Sequence, residues 1–172
     1  MAGPWEKLTI LVAEDNKPMR GLVREILEAL GVGTILEAAD GQAALRLLGM
    51  HAVDIVILDW NMEPMDGMAL TRQIRTSPES ADQFVPIIML SGHTERARVL
   101  AARDAGVTEF MAKPVSVKAL CARVNAIIDA PRPFIRTAGY FGPDRRRRVL
   151  PFNGPDRRSG AEATVEKNPR RA

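Results

Sequence analysis

Cysteine is nearly absent from this chain, which holds only Cys121 in 172 residues. No disulfide can form within it, so stability has to come from a buried core. Cys121 falls in a helix-patterned segment, where a lone cysteine is more often a small core residue than a nucleophile. Long apolar runs are also missing: nowhere do 18 apolar residues follow one another, so no membrane-spanning helix is expected. The first apolar run, Leu8 to Ala13, is cut off by Glu14 and Asp15. It lacks the basic start and long apolar stretch of a signal peptide, and the expected location is the cytoplasm. No helix-turn-helix or zinc-ligand pattern occurs, which argues against a transcription-factor output domain.

What is present suits one domain with an appendage. Hydrophobic residues make up 46% of the chain, enough for a core. The net charge of +3 hides an asymmetry. Residues 1–129 carry 13 Lys and Arg against 17 Asp and Glu, whereas residues 130–172 carry 11 against 4. A mildly acidic body and a strongly basic tail are physically two objects.

Within the body, short apolar runs alternate with helix-period segments. The runs are Leu8–Ala13, Thr34–Ala38, Asp54–Leu58, Pro86–Ser91 and Thr108–Met111. Continuous runs of this kind predict strands buried on both faces. The first helix carries Met19, Leu22, Val23, Ile26, Leu27 and Leu30 on one stripe, with Asn16 placed to cap it and Gly31 to stop it. Asp40 is placed to cap a second helix, from about Gly41 to Leu48. The third follows Asp66 and carries Met68, Leu70 and Ile74. The fourth follows Thr94 with Ala97, Val99, Leu100 and Ala101; the fifth follows Ser116 with Leu120, Cys121, Val124, Ile127 and Ile128. Repeated strand–helix units predict an α/β fold, a doubly wound parallel sheet with helices on both faces. Sites in such folds lie at the carboxyl ends of the strands.

After Asp129 the pattern breaks, and Pro131 and Pro133 end the last helix. Gly142-Pro143-Asp144-Arg145-Arg146 recurs twelve residues on as Gly154-Pro155-Asp156-Arg157-Arg158, with Phe141 and Phe152 ahead of the two copies. Residues 1–129 are thus expected to form the domain. Residues 130–172 are expected to be a basic tail, largely extended or disordered, with two similar docking elements.

The chemistry gathers at the predicted strand ends. The first strand ends in Glu14-Asp15, the third in Asp59 and the fourth in Ser91, and the fifth leads into Lys113-Pro114. Taken singly each has an ordinary explanation: a helix cap, dipole compensation, a turn residue, a surface lysine. Together, each after the right apolar run, they describe a rim of three carboxylates, a hydroxyl and an ammonium. Hard oxygen ligands in an open site suit Mg²⁺, which would relieve the repulsion among the acids. It would also neutralise an incoming phosphoryl group. Asp59, after the middle strand, is the nucleophile of choice and would form an acyl phosphate. Lys113 supplies a point charge for the phosphoryl oxygens and Ser91 a hydroxyl donor.

This ordered set, with the segment Asp59-Trp60-Asn61-Met62 through Met65-Asp66-Gly67, resembles the response-regulator receiver family and its chemotaxis-regulator branch, over roughly residues 7–129. The resemblance implies a five-stranded sheet of order 2-1-3-4-5 and a two-component phosphorelay role. The phosphoryl donor would be a sensor histidine kinase or a histidine phosphotransfer protein. By the same resemblance Asp15 and Asp59 ligate Mg²⁺ directly, Glu14 acts through water and the Asn61 backbone carbonyl completes the set. Ser91 moves to the phosphoryl group, Phe110 is the rotating aromatic, and the Lys113–Pro114 bond is cis. The surface that changes is formed by the fourth helix, fifth strand and fifth helix, where a protein effector or a second copy would bind. Three departures stand out. Glu63 occupies a place where many members carry Pro, with Pro64 next; Phe110 lacks the hydroxyl of a Tyr; and His93 sits where the family tunes dephosphorylation.

Two rival readings differ in kind. An Asp-nucleophile phosphohydrolase commonly has a second Asp two residues on as general acid, but here that residue is Asn61, which cannot give up a proton. A nucleic-acid-binding role would rest on Arg145–Arg148 with Tyr140 and Phe141 nearby; a solvated or protein-docking tail is the simpler reading. A regulator that catalyses its own phosphorylation and dephosphorylation, without turnover of a substrate, is the expectation.

Overall fold

In the computed structural model, residue 3, residues 5–146, residues 164–166 and residue 169 are described. Strands β1 (Thr9–Ala13), β2 (Thr34–Ala38), β3 (Ile55–Asp59), β4 (Ile87–Ser91) and β5 (Glu109–Ala112) pair in parallel in the order β2-β1-β3-β4-β5. Between them run α1 (Lys17–Ala29), α2 (Gly41–Met50), α3 (Gly67–Thr76) and α4 (Arg96–Ala105), and α5 (Val117–Asp129) follows β5. The α/β doubly wound sheet is therefore present, in the order the family resemblance implies.

The period of two within each strand divides the core. Leu11, Val56, Leu58, Ile87 and Met89 face one side, with Leu48, Met68, Leu70 and Ile74 from α2 and α3. Ile10, Val12, Ile55, Ile57, Ile88 and Leu90 face the other, with Val23 and Leu27 from α1 and Leu120 and Val124 from α5. Every residue of β3 and β4 is buried. β2 and β5 are not buried on both faces as expected, because each is an edge strand with one neighbour and parts of it meet solvent.

Side-chain caps at Asn16, Asp40, Asp66 and Ser116 accept from the backbone N–H three residues on. Gly31 follows α1 with φ +80°, a conformation glycine reaches at little cost. Two helix expectations need correction. On α1 the buried stripe is Val23, Ile26 and Leu27, while Leu22 is 41% exposed. On α4 the one buried residue is Ala102; Ala97 and Ala101 point to solvent, and no side chain caps the helix start. A helix with so little apolar burial has weak tertiary anchorage of its own.

Residues 130–146 also differ from expectation. Instead of a loose tail, β6 (Phe134–Thr137) and β7 (Tyr140–Pro143) form an antiparallel hairpin, and β8 (Thr164–Glu166) pairs with the other edge of β6. Phe134 and Phe141 are buried against Phe84, with ring centroids 5.1 Å from Phe84 and 5.5 Å from each other. Burial of two large rings offsets the ordering entropy that a polar tail could not recover. The second copy of the repeat, Gly154–Arg158, lies outside the described residues, as do Phe152, Arg147 and Arg148.

Candidate functional site

β1 and β3 are adjacent, so their carboxyl ends bring Glu14 and Asp15 beside Asp59. One carboxylate oxygen from each of the three lies within 4.8 Å of the others. Glu14 and Asp59 are buried and Asp15 is exposed, so the cluster opens to solvent on one side. Lys113, just past β5, reaches across: its Nζ lies 2.8 Å from Glu14 Oε2 and 2.9 Å from Asp59 Oδ1.

This pairing sets the local electrostatics. Burial pushes the Glu14 carboxyl up, assisted by the Asp59 charge and opposed by the Lys113 hydrogen bond. Burial works against the Lys113 ammonium, but its hydrogen bonds to Glu14 and Asp59 outweigh that and raise it. Lys113 thus stays charged. The buried carboxylates keep a counter-ion, without which an isolated buried charge would cost several kcal/mol.

Ser91 ends β4, fully buried, and its carbonyl accepts from the Lys113 N–H at 2.9 Å. Its Oγ accepts from the His93 N–H at 3.1 Å, tying it to the loop that enters α4. Phe110, on β5, is half-buried against the core on the α2–α3 side. Beside it lies a cleft of about 100 Å³ shared with Val99 and Arg103 of α4. Asn61 is exposed two residues beyond Asp59. His93 is exposed, its Nδ1 3.6 Å from Glu95 Oε1. The Lys113–Pro114 bond is cis, and so is Glu63–Pro64, next to the first of the departures noted above.

Three supporting residues escaped the sequence reading. Gly67 opens α3 directly against the end of β3: a Cβ there would lie 2.2 Å from the Asp59 carbonyl oxygen, and the Gly67 N–H donates to the Trp60 carbonyl at 2.9 Å. Only glycine permits that approach. Arg20 donates from Nη1 to the Glu14 carbonyl at 2.7 Å and pairs with Glu37 at 3.3 Å, bracing the acidic turn from α1. Arg98 of α4 lies over the ring of Trp60, the residue after Asp59, at 4.9 Å. Gly67 was in the motif quoted above, but its steric role needs the fold; Arg20 and Arg98 carry no local signal.

The fold, a parallel sheet with an acid cluster and a lysine at its carboxyl rim, defines a class of α/β phospho-signalling domains. Residues 10–125 match the family model described as the response regulator receiver domain, and the chain belongs to that family. It is 32% identical over 124 residues to chemotaxis protein CheY-3 of Vibrio cholerae, covering 72% of this chain and 94% of the relative. It is 30% identical to chemotaxis protein CheY of Pseudomonas aeruginosa, covering 71% and 97%. Among solved structures it is similar to Vibrio cholerae CheY4, with TM-score 0.64, 26% identity, and 70% and 98% of the two chains covered. It is also similar to the receiver domain of the histidine kinase CKI1 from Arabidopsis thaliana complexed with Mg²⁺ and BeF₃⁻, with TM-score 0.63, 27% identity, and 71% and 90% covered. The chain is the receiver domain of a two-component response regulator, and nothing among these findings favours a phosphohydrolase or a nucleic-acid binder. No helix among the described residues is long and apolar enough to cross a membrane.

Proposed function

We propose that Asp59 is the phospho-acceptor and that this chain is a cytoplasmic, Mg²⁺-dependent switch. The observation that carries this is the buried Asp59 carboxylate, 2.9 Å from Lys113 and clustered with Glu14 and Asp15. The donor set fits Mg²⁺: hard carboxylate oxygens, one of them on exposed Asp15, leave room for the waters the ion keeps. Asp15 and Asp59 would hold it directly, with the Asn61 carbonyl, and Glu14 through water. When bound, the metal neutralises charge on the transferring phosphoryl group.

A carboxylate oxygen of Asp59 attacks phosphorus, and the P–N bond to the donor histidine breaks with its electron pair leaving on the imidazole. Lys113 holds the phosphoryl oxygens as a fixed cation, and Ser91 donates its hydroxyl proton to one of them. The donor is a sensor histidine kinase or a histidine phosphotransfer protein, and water later hydrolyses the acyl phosphate. No substrate is turned over, since Asn61, two residues after Asp59, cannot act as a general acid.

Drawing Ser91 toward the phosphoryl group leaves space for half-buried Phe110 to move inward. Fuller burial of a Phe contributes at most ~1.5–3 kcal/mol. A shift from almost all inactive to almost all active needs ~5.5 kcal/mol of differential binding. The phosphoryl contacts to Ser91 and Lys113 therefore have to supply much of the difference. The face that changes is α4–β5–α5, where a protein effector, or a second copy after phosphorylation, docks. Arg145 is engaged by Tyr140 and Asp104, and Arg146 by Asp144, which supports protein docking over nucleic-acid binding for that stretch.

The test is incubation with acetyl phosphate and Mg²⁺, followed by mapping of an acid-stable, base-labile adduct. Label on Asp59 is the expected result; equal labelling of Asp59→Ala would sink the assignment.

A further inference from the structure

The most heavily built feature that the receiver fold does not require is the hairpin of β6 and β7 with Asp144–Arg146 after it. It docks at the base of the domain, on the C-terminal end of α4 and the approach to β5. Gly106 ends α4 with φ +100°, and a Cβ on Gly142 would lie 2.9 Å from the Gly106 Cα, so the two backbones touch. Arg75 of α3 is fully buried there, donating from Nε to the Gly106 carbonyl at 3.0 Å and from Nη1 to the Gln83 carbonyl at 2.7 Å. Its guanidinium lies 5.1 Å from the Phe134 ring centre. Arg132 bridges the two parts, donating to the Thr108 carbonyl just before β5 and to the Asp144 carbonyl.

The repeated motif has a physical role in its first copy. Gly142 permits the backbone contact, and the Pro143 carbonyl accepts from the Tyr140 hydroxyl at 2.7 Å. The Asp144 N–H donates to the Pro133 carbonyl at 2.8 Å, while its carboxylate accepts from Arg146. Arg145 stacks on Tyr140 at 4.0 Å and reaches Asp104 of α4 at 3.3 Å.

α4 buries only Ala102 fully, with Ala105 half-buried against the core. Its first turn is linked to the rim, where Ser91 Oγ accepts from His93 and Arg98 covers Trp60. Its last turn is linked to the hairpin. A weakly anchored helix held at both ends is the element through which one end can bias the other.

Resting on the assignment of Asp59 above, we propose that this hairpin is an intramolecular strap that holds α4 and the start of β5 in their unphosphorylated arrangement, so that strap docking and phosphorylation oppose each other. Linkage then runs both ways: phosphorylation loosens the strap, and loosening the strap favours the phosphorylated form by the same factor.

The experiment uses the full chain, beryllium fluoride with Mg²⁺ as the phosphoryl mimic, and hydrogen exchange. In the wild type, saturation with the mimic should speed exchange across Phe134–Pro143 by about fivefold or more, the low end of ordinary coupling. Arg145→Ala, a surface change that keeps the aromatic cluster, and Gly142→Val, which forces the backbones apart, should each bind the mimic several-fold more tightly, read from Trp60 fluorescence. A strap whose exchange stays constant at saturation overturns the coupling, as does equal or weaker mimic binding by Arg145→Ala. Those results come with Asp59 still labelled by acetyl phosphate. A wild type that takes neither label nor mimic instead refutes the assignment of Asp59, and the strap's coupling to phosphorylation falls with it.

Discussion

The guanidinium of Arg98 on α4 lies 4.9 Å from the centre of the ring of Trp60, the residue after Asp59. The indole therefore reports on two things at once: charge at the rim and the placement of α4. Mg²⁺ binding should change Trp60 fluorescence with weak affinity, since the ion keeps several waters. Asp15→Asn should abolish that titration, whereas Arg98→Ala should change the starting intensity and leave the midpoint near wild type. An unaltered titration in Asp15→Asn would remove Asp15 from the ligand set.

Glu14 and Asp59 share a single lysine, Lys113, at 2.8 and 2.9 Å. Without metal, two buried carboxylates against one cation is a strained arrangement. Asp59→Asn should relieve it while Lys113 keeps Glu14 as partner. We expect a gain of ~1 kcal/mol, or about 2–4 °C in Tm for a chain of this size, seen by calorimetry in chelator. Added Mg²⁺ should narrow the gap by stabilising the wild type alone. A lower Tm for Asp59→Asn would mean that the Lys113–Asp59 pair outweighs the repulsion.

Gly67 cannot gain a side chain without moving the end of β3, because its Cβ would lie 2.2 Å from the Asp59 carbonyl oxygen. Gly67→Ala should cost ~1–3 kcal/mol by overpacking and slow acetyl phosphate labelling. Gly21→Ala, in open space inside α1, is the control: replacing a mid-helix Gly with Ala should help by ~0.5–1 kcal/mol. Urea denaturation separates the two.

Arg75 is fully buried, and burial pushes it down to about 9. It satisfies the carbonyls of Gly106 and Gln83. Arg75→Ala leaves a cavity and two buried acceptors without their donor, and should cost ~3–5 kcal/mol in chemical denaturation. Its effect should extend to the hairpin, with faster exchange at Phe134 than at Val56 in the central sheet. Uniform loss of protection would show that the hairpin and sheet open as one unit.

Much of the receiver was legible locally. Apolar runs for β1, β3 and β4, and the caps Asn16, Asp40, Asp66 and Ser116, are signals written within a few neighbouring residues, because periodicity and capping are short-range interactions. The acidic pair, Asp59, Ser91 and Lys113 could be placed at one rim because parallel strands align their carboxyl ends whatever lies between them. The strand order itself came from resemblance, since no local pattern encodes which strands are neighbours. Tertiary structure alone decided the rest. The exposure of α4, the Arg20 brace, the Arg98–Trp60 stack and the steric need for Gly67 all depend on residues brought together by the fold. The tail is the sharpest case: Arg, Gly and Pro made residues 130–146 read as loose chain, yet Phe134 and Phe141 find Phe84 in a loop before β4 and bury Arg75. Composition counts what a segment can bury against itself; it carries no record of a surface elsewhere in the chain that is shaped to receive it.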